Sequence, residues 1–260
     1  MADREIWCLG TGDGWPNGER NHSSFLYHLG GQSLLVDCGE RVSGSLHRFE
    51  VDLDSFEGIL LSHMHCDHIG GFFMLIQGLW LDRRTRPLPI WMPRCGIEPA
   101  KSLLRSACLF EELLPFDIAF RSLSEGASFK VGEIGVIAYP TSHLASLKER
   151  FGDRYAVSFE AFCFQLEYGG AVVGHSGDIG QIQDLEPLLQ NPLDLLLCEL
   201  AHVEPLALFA RLKHASVGKI VFTHLGRDIR ARFETVEAAA YSQLGRDKVV
   251  FARDGDRIPF

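Results

Sequence analysis

The sequence predicts a layered α/β sandwich, in which two β-rich halves pack together and helices cover the outside. Short strand-like runs dominate the first 60 residues and the stretch from Phe116 to His175, and the last third alternates strand and helix patterns. The chain of 260 residues is 46% hydrophobic, which is enough for a sizeable core. No linker, repeat or low-complexity tract interrupts it, so residues 1–260 are predicted to form a single domain.

The predicted elements follow one another in a regular order along the chain. The first strand leads into a glycine-rich loop, and the pair Gly30-Gly31 is typical of a hairpin between the next two strands. The stretch from Phe116 to about His175 is predicted to be rich in strands. The other predicted strands cover residues 6–9, 23–30, 32–39, 56–63, 193–200, 218–224 and 247–252, and the predicted helices cover residues 69–81, 98–110, 204–214 and 232–244.

The composition of the chain limits which binding partners and which cellular compartment are expected. A net charge of −9 provides no general attraction to nucleic acid or to anionic membranes. The seven cysteines form no C-x-x-C pair, which favours free thiols in the cytoplasm over disulfides or a cysteine zinc site. The N-terminus lacks the apolar core of a signal peptide, and the longest apolar run is too short to span a bilayer. We therefore expect a cytoplasmic protein without a membrane partner, and a homodimer is compatible with the sequence.

Residues 62–71, SHMHCDHIGG, concentrate metal-binding side chains in one short segment. Alternate residues of an extended segment share a face, so the first two histidines point the same way, and the following turn aims the next two donors at a second point. Imidazole and carboxylate together suit Zn(II), Fe(II) or Mn(II). Further donors are expected at the ends of downstream strands. The candidate ligands are His63, His65, Asp67, His68, His143, Asp178 and His224.

This motif resembles the signature of the metallo-β-lactamase superfamily, and the resemblance covers essentially the whole chain. The segments LGTGDGWPNGERNHSS and LLVDCGE resemble the opening loop and second strand of the ribonuclease Z branch and its phosphodiesterase relatives. The resemblance implies an αββα sandwich of two mixed sheets with outer helices and a site for two divalent ions between the sheets. Zinc is the expected metal, with manganese and iron as alternatives. The resemblance assigns His63, His65 and His143 to one ion and Asp67, His68 and His224 to the other, with Asp178 bridging them.

The segment CELAH adds a candidate catalytic pair, Glu199 and His202. His202 precedes His224 by 22 residues, the spacing at which the ribonuclease Z branch carries a histidine that is not a ligand. A protonated imidazole held by Glu199 would donate a proton to a departing alkoxide. The resemblance therefore implies hydrolysis of small or cyclic phosphodiesters by a hydroxide that bridges the two metals, with Asp67 orienting it.

The chain departs from ribonuclease Z between His143 and Asp178. That enzyme carries a long tRNA-binding arm there, whereas only residues 144–177 separate the two positions here. The insert 144–158 is either a lid or an ordinary charged loop. Its basic residues Lys148, Arg150 and Arg154, here called the insert cations, are candidate phosphate contacts, as is Arg227 near the last ligand.

Other functions stay open at the level of sequence. A tRNA 3′-processing endonuclease would use the same metals, although RNA is the less favoured substrate for an acidic chain without the arm. A lactonase or an arylsulfatase would also use them, and a metal-bound regulatory protein would show little turnover. The remaining histidines are predicted to be structural or on the surface: His22, His28, His47, His175 and His214.

Overall fold

The computed structural model describes residues 4–260, and its strands form two seven-stranded sheets that pack face to face. The strands are β1 (Arg4–Gly10), β2 (Ser24–Leu29), β3 (Gln32–Val36), β4 (Phe56–Leu60), β5 (Leu88–Met92), β6 (Ile118–Ser122), β7 (Ser128–Val131), β8 (Ile134–Pro140), β9 (Phe162–Tyr168), β10 (Ala171–His175), β11 (Leu193–Leu200), β12 (Val217–Leu225), β13 (Val249–Phe251) and β14 (Arg257–Pro259).

Eight α-helices are found in the same residues. They are α1 (Val42–Arg48), α2 (Cys66–Ile69), α3 (Phe72–Leu81), α4 (Arg94–Ser106), α5 (Ala145–Phe151), α6 (Pro205–Leu212), α7 (Arg227–Ala231) and α8 (Phe233–Leu244). Short 3₁₀ segments add residues 111–113, 182–185 and 188–190. Within residues 4–260, none of these helices combines the length and the apolar character that crossing a bilayer requires.

Both sheets are mixed. The first sheet has the order β14-β1-β2-β3-β4-β5-β6, antiparallel up to β3 and parallel from β3 to β6. The second has the order β13-β12-β11-β10-β9-β8-β7, parallel from β13 to β10 and antiparallel beyond. The carboxyl ends of β8, β10, β11 and β12 therefore lie at one edge of the second sheet, where connecting loops can bring side chains together.

Three apolar layers hold the sandwich together because successive strand residues face opposite sides of a sheet. In β11, Leu195 and Leu197 face the layer between the sheets, whereas Leu196 and Cys198 face the helices outside. Helix α6 buries Leu208 and other apolar residues in the same outer layer. Helices α1, α3 and α4 cover the first sheet in the same way. The predicted αββα sandwich is confirmed.

Several local predictions needed correction. The Gly30-Gly31 turn is as predicted, and both glycines have positive φ, at 61° and 96°. The stretch between Phe116 and His175 is rich in strands, as predicted, and the insert within it contains helix α5, which was not predicted. The helix predicted over residues 69–81 is α3, which begins later, at Phe72, because the short helix α2 ends at Ile69. The sequence patterns also did not predict β5, β14 or α1, which are short elements with little periodicity.

Candidate metal and catalytic site

The seven predicted ligands converge into two groups of donor atoms at the edge of the sandwich. Within each group, every ligand atom lies within 4.8 Å of the others. One group is His63, His65 and His143, and the other is Asp67, His68, Asp178 and His224. The histidines and Asp67 thus fall into the two predicted groups, and Asp178 belongs to the second. His143 and Asp178 also form a third group of donor atoms with His202.

Asp178 lies between the two groups. Its Oδ2 atom is 3.7 Å from His143 Nε2, 3.8 Å from His63 Nε2 and 3.4 Å from His224 Nε2. Its Oδ1 atom is 3.3 Å from His68 Nε2. A carboxylate in this position can offer oxygen atoms to both groups, as the prediction of a bridging ligand requires.

Two buried nitrogen atoms show that the donors fit metal ions. His63 is 0% exposed and His68 is 2% exposed, yet the Nε2 atom of each has no hydrogen-bond partner in the described residues. A buried polar atom without a partner costs about 1–3 kcal/mol, so such atoms are rare unless something else binds them. Imidazole and carboxylate donors at these distances are the ligands that zinc prefers.

Local geometry explains how one short motif serves both groups. His63 and His65 lie in the segment after β4, and His65 has extended backbone, with φ −68° and ψ 149°, just before α2 begins. Helix α2 then turns the chain, so Asp67 and His68 face the second group. His224 has a positive φ of 52° although it lies in β12, a strained conformation of the kind found at functional sites.

A buried carboxylate, Asp37, orients the second group, although no sequence pattern marked it as a site residue. It directly follows β3 and accepts hydrogen bonds from His68 Nδ1 at 2.7 Å, from the Ser62 amide at 2.7 Å and from the Ser62 hydroxyl at 2.9 Å. A carboxylate bonded to one ring nitrogen fixes the tautomer and leaves the other nitrogen free to bind metal. The segment LLVDCGE, which contains Asp37 and resembles the acidic turn of the ribonuclease Z branch, was the one sequence feature that could have marked it.

Other contacts outside the donor groups hold the loops in place. Ser23 Oγ lies 3.0 Å from His224 Nδ1. Asp184 accepts hydrogen bonds from the Ser142 and Gly180 amides, at 2.8 and 2.9 Å, and so links the segments that carry His143 and Asp178. His175, predicted to be structural, is buried and bonds the Tyr27 hydroxyl at 2.8 Å.

The electrostatics of the protein groups favour neutral imidazoles in the first group. Burial lowers the pKa of His63 well below 6.5, lowers the pKa of His65 and lowers the pKa of His143 to about 4. Burial would raise the pKa of Asp178, but the charges of His224 and His68 hold it well below its usual 3.8. Neutral imidazoles and an ionised carboxylate are the forms that bind metal ions.

The predicted catalytic pair lies beside the donors. Glu199 is 1% exposed, and its Oε1 atom lies 3.0 Å from His202 Nδ1, whereas its Oε2 atom accepts the His202 amide at 3.1 Å. His202 Nδ1 is 3.8 Å from Asp178 Oδ2, and its ring centre is 4.6 Å from that of His143. Burial alone would lower the pKa of His202, but the bond to Glu199 and its charge raise it to about 9.

A cleft of about 910 Å³ begins at His202 and His224 and extends between the loop at Asp13–Trp15 and helix α7. This volume lies within the range of small-molecule sites, about 300–1,000 Å³. A Cβ atom at Gly14 would lie 3.4 Å from Asp67 Oδ2, so the loop runs directly past the second donor group. Arg227 lines the cleft as well, whereas the insert cations are exposed on and after α5 and do not line it.

The two sheets, the outer helices and the His/Asp groups at their edge define the metallo-β-lactamase fold. The metallo-β-lactamase fold protein YhfI from Bacillus subtilis superimposes with a TM-score of 0.79 over 100% of both chains, at 20% identity. The predicted metallo-β-lactamase fold is therefore confirmed.

The chain belongs to the family described as Anti-Pycsar protein Apyc1, which it matches over residues 4–179. The Anti-Pycsar protein Apyc1 of Bacillus phage BSP38 is 28% identical over 60% of this chain and 63% of its own length. Ribonuclease Z of Archaeoglobus fulgidus is 33% identical over 54% of this chain and 44% of its own length. The chain thus spans about half the length of the curated relatives it matches, and several of these relatives are ribonucleases Z, which agrees with the predicted resemblance to that branch.

Proposed function

We propose that this protein is a metal-dependent phosphodiesterase that acts on small or cyclic phosphodiesters. The observation that carries the proposal is the position of His202, whose Nδ1 atom is 3.0 Å from the buried Glu199 carboxylate and 3.8 Å from the central Asp178. The side chain is 35% exposed and lines the cleft, so it can meet a substrate. A donor of protons beside the candidate metal groups suits a reaction with a poor leaving group.

The proposed metal ligands are the seven residues of the two donor groups, with Asp178 shared. They would hold two divalent ions, and the mixture of imidazole and carboxylate favours zinc. When bound, such ions activate water for attack and neutralise charge on phosphoryl oxygen atoms. Asp67 lies beside the cleft loop, and its carboxylate would both hold one ion and orient the attacking water.

His202 would act on the leaving group. Glu199 accepts the Nδ1 proton and holds the ring, which leaves Nε2 as the donor toward the cleft. An alkoxide is a strong base, so proton donation as the P–O bond breaks accelerates its departure by about 10²–10⁴-fold. Glu199 would act through His202, because its carboxylate is buried and is occupied by three other hydrogen bonds from backbone amides.

Substrate size is inferred from the insert and the charge. The insert consists of the seven-residue helix α5 followed by exposed chain, and the protein carries a net charge of −9. Gripping a long polyanion requires many phosphate contacts, each of which displaces counterions. One small cleft with few unpaired cations instead favours a ligand with a single phosphodiester.

A tRNA 3′-processing nuclease is the second candidate. The 33% identity with the ribonuclease Z of Archaeoglobus fulgidus favours it, since the matched region includes more than half of this chain. It would require a surface for the RNA outside the cleft. The insert cations Lys148, Arg150 and Arg154 do not line the cleft, but the insert directly follows His143, so they remain candidate contacts for a phosphate near the first donor group in either case.

The proposal is tested by comparing how much His202→Ala lowers the turnover of two diesters that differ in their leaving group. One diester carries an alkoxide leaving group, and its partner carries p-nitrophenolate, which departs without a proton. We expect turnover of the first to fall about 10²–10⁴-fold and that of the second to change much less, with metal content unaltered. His214→Ala, at an exposed histidine outside the cleft, is the matched control.

Three results would contradict the proposal. Equal losses on both diesters would remove the proton-donor role. Loss of metal would make His202 a ligand or a support of one. Lactone hydrolysis by the wild type without any diesterase activity would replace the reaction class itself.

A further inference from the structure

The cleft contains an exposed aromatic side chain whose position the reaction itself does not explain. Trp15 is 57% exposed and lines the same cleft as His202 and His224. The other large apolar side chains that are exposed in residues 4–260 do not line this cleft. A tryptophan left in water at the mouth of a site is a surface on which a flat ligand group can stack.

Arg227 fixes one side of this surface. Its guanidinium carbon lies 4.5 Å from the centre of the Trp15 ring, which is a cation–π contact. Arg227 makes no ion pair with a carboxylate among residues 4–260, so its charge is neutralised by no partner there. The stack restricts the rotamers of both side chains, so less side-chain entropy would be lost when a ligand binds.

The other cations of the cleft are already paired. Arg232, which lines the cleft, has Nη2 3.8 Å from Glu204 Oε1. Arg230 lies behind the lining, and its Nη1 is 3.2 Å from Oδ1 of the lining residue Asp13. The cleft wall therefore provides one free guanidinium beside one free aromatic surface, with the carboxylate of Asp228 exposed nearby. Such a wall suits a ligand with one negative phosphodiester and one flat ring, and it does not suit a polyphosphate.

We infer that Trp15 and Arg227 form a platform that selects phosphodiesters carrying an aromatic substituent, such as a nucleobase. This inference rests on the proposed function, since the phosphodiester must reach the donor groups at His202 and His224. Trp15 would stack on the ring, and Arg227 would hold the indole and balance the ligand's charge. Neither residue would take part in the bond-breaking step, so both would act on KM more than on kcat.

The test compares two substrates with the same leaving group. Thymidine 5′-(p-nitrophenyl phosphate) and methyl p-nitrophenyl phosphate both release p-nitrophenolate, and they differ in the group that stays on phosphorus. Loss of a stacked aromatic side chain costs about 5- to 150-fold in affinity. We expect Trp15→Ala to raise KM for the thymidine ester about tenfold or more, with kcat nearly constant, and to change the methyl ester less than twofold.

Matched variants separate stacking from a general structural role. Trp15→Phe keeps an aromatic ring and should retain most of the preference for the thymidine ester. Arg227→Met keeps the apolar chain without the charge and should show an intermediate loss. Leu81→Ala changes another exposed apolar side chain, 59% exposed at the end of α3, and should leave both substrates unchanged. Equal losses on both substrates with Trp15→Ala, or no loss on either, would overturn the inference.

A binding measurement distinguishes failure of the platform from failure of the proposed function. Thymidine 5′-monophosphate is titrated into the protein while tryptophan fluorescence is recorded. Because the chain has four tryptophans, the contribution of Trp15 is found by comparing the wild type with Trp15→Phe. We expect quenching that depends on Trp15, and none with inorganic phosphate. Quenching without diesterase activity would reject the proposed reaction and keep the platform. Turnover of the diesters with no quenching from Trp15 would keep the reaction and reject the platform.

Discussion

Replacing Asp37 by asparagine should weaken one of the two metal groups selectively. Asp37 is 0% exposed and accepts three hydrogen bonds, one from His68 Nδ1 and two from Ser62. An amide of the same shape has a single acceptor oxygen and an NH₂ group that must face one of these donors. The substitution therefore removes a charge-assisted bond and places two donors against each other.

The expected size follows from these contacts. A hydrogen bond to a charged group contributes about 1.5–3 kcal/mol, against about 0.5–1.5 kcal/mol for a neutral one. The difference of about 1–1.5 kcal/mol corresponds to roughly five- to tenfold in affinity. If the amide NH₂ faces His68, the ring must protonate Nε2, the atom needed for metal. The total loss should then approach the 10- to 100-fold that is typical when such a partner is removed.

The assay must resolve the two groups. Crystals of Asp37→Asn grown with limiting zinc would show reduced anomalous scattering at the group of Asp67, His68 and His224, with the group of His63, His65 and His143 occupied. Competition with a chromogenic chelator in solution gives the two affinities. Asp54→Asn is the matched control, because Asp54 also accepts the amide and hydroxyl of one residue, Thr85, but lies in a different loop.

Two outcomes would refute this reasoning. Equal weakening of both metal groups would show that Asp37 supports the fold of the whole edge and not the second group. An equal loss in Asp54→Asn would show that the effect is unrelated to contact with His68. Thermal unfolding with chelator present checks that the variant folds.

The remaining predictions concern metal, pH, the insert and substrate size. Asp178→Ala should weaken both ions together, and elemental analysis showing one ion fully retained would contradict the shared role. Glu199 raises the pKa of His202 to about 9, so His202 is protonated below that pH, and kcat/KM for a diester with an alkoxide leaving group should fall as the pH rises through this value. Bound cations would shift this fall in kcat/KM to lower pH, and Glu199→Gln should shift it further. An unchanged pH profile in Glu199→Gln would exclude the pair. Reversing the charge of the three insert cations should raise KM more than it lowers kcat, which steady-state kinetics would measure. Small diesters should be cleaved with higher kcat/KM than pre-tRNA and with weak salt dependence, and efficient, salt-sensitive maturation of pre-tRNA would reverse that choice.

The sequence alone determined which residues form the donor groups. Four of the seven lie within His63–His68, so local backbone geometry is enough to bring them near each other. The other three follow or end strands of one sheet, and neighbouring strand ends meet at one edge wherever the strands run in the same direction. The patterns of strands and helices likewise indicated a layered α/β sandwich, and the resemblance to the metallo-β-lactamase superfamily implied the order αββα.

Only the tertiary structure decided which side chains surround those groups. Asp37 is 31 residues from His68, and Trp15 is far along the chain from Arg227, so neither contact leaves a periodic or spacing signal. Helix α5 also escaped prediction, since a short exposed helix buries little and shows no strong apolar face. Hydrogen bonds and stacking act over about 3–5 Å and depend on how distant loops approach one another, and packing of the two sheets sets that approach.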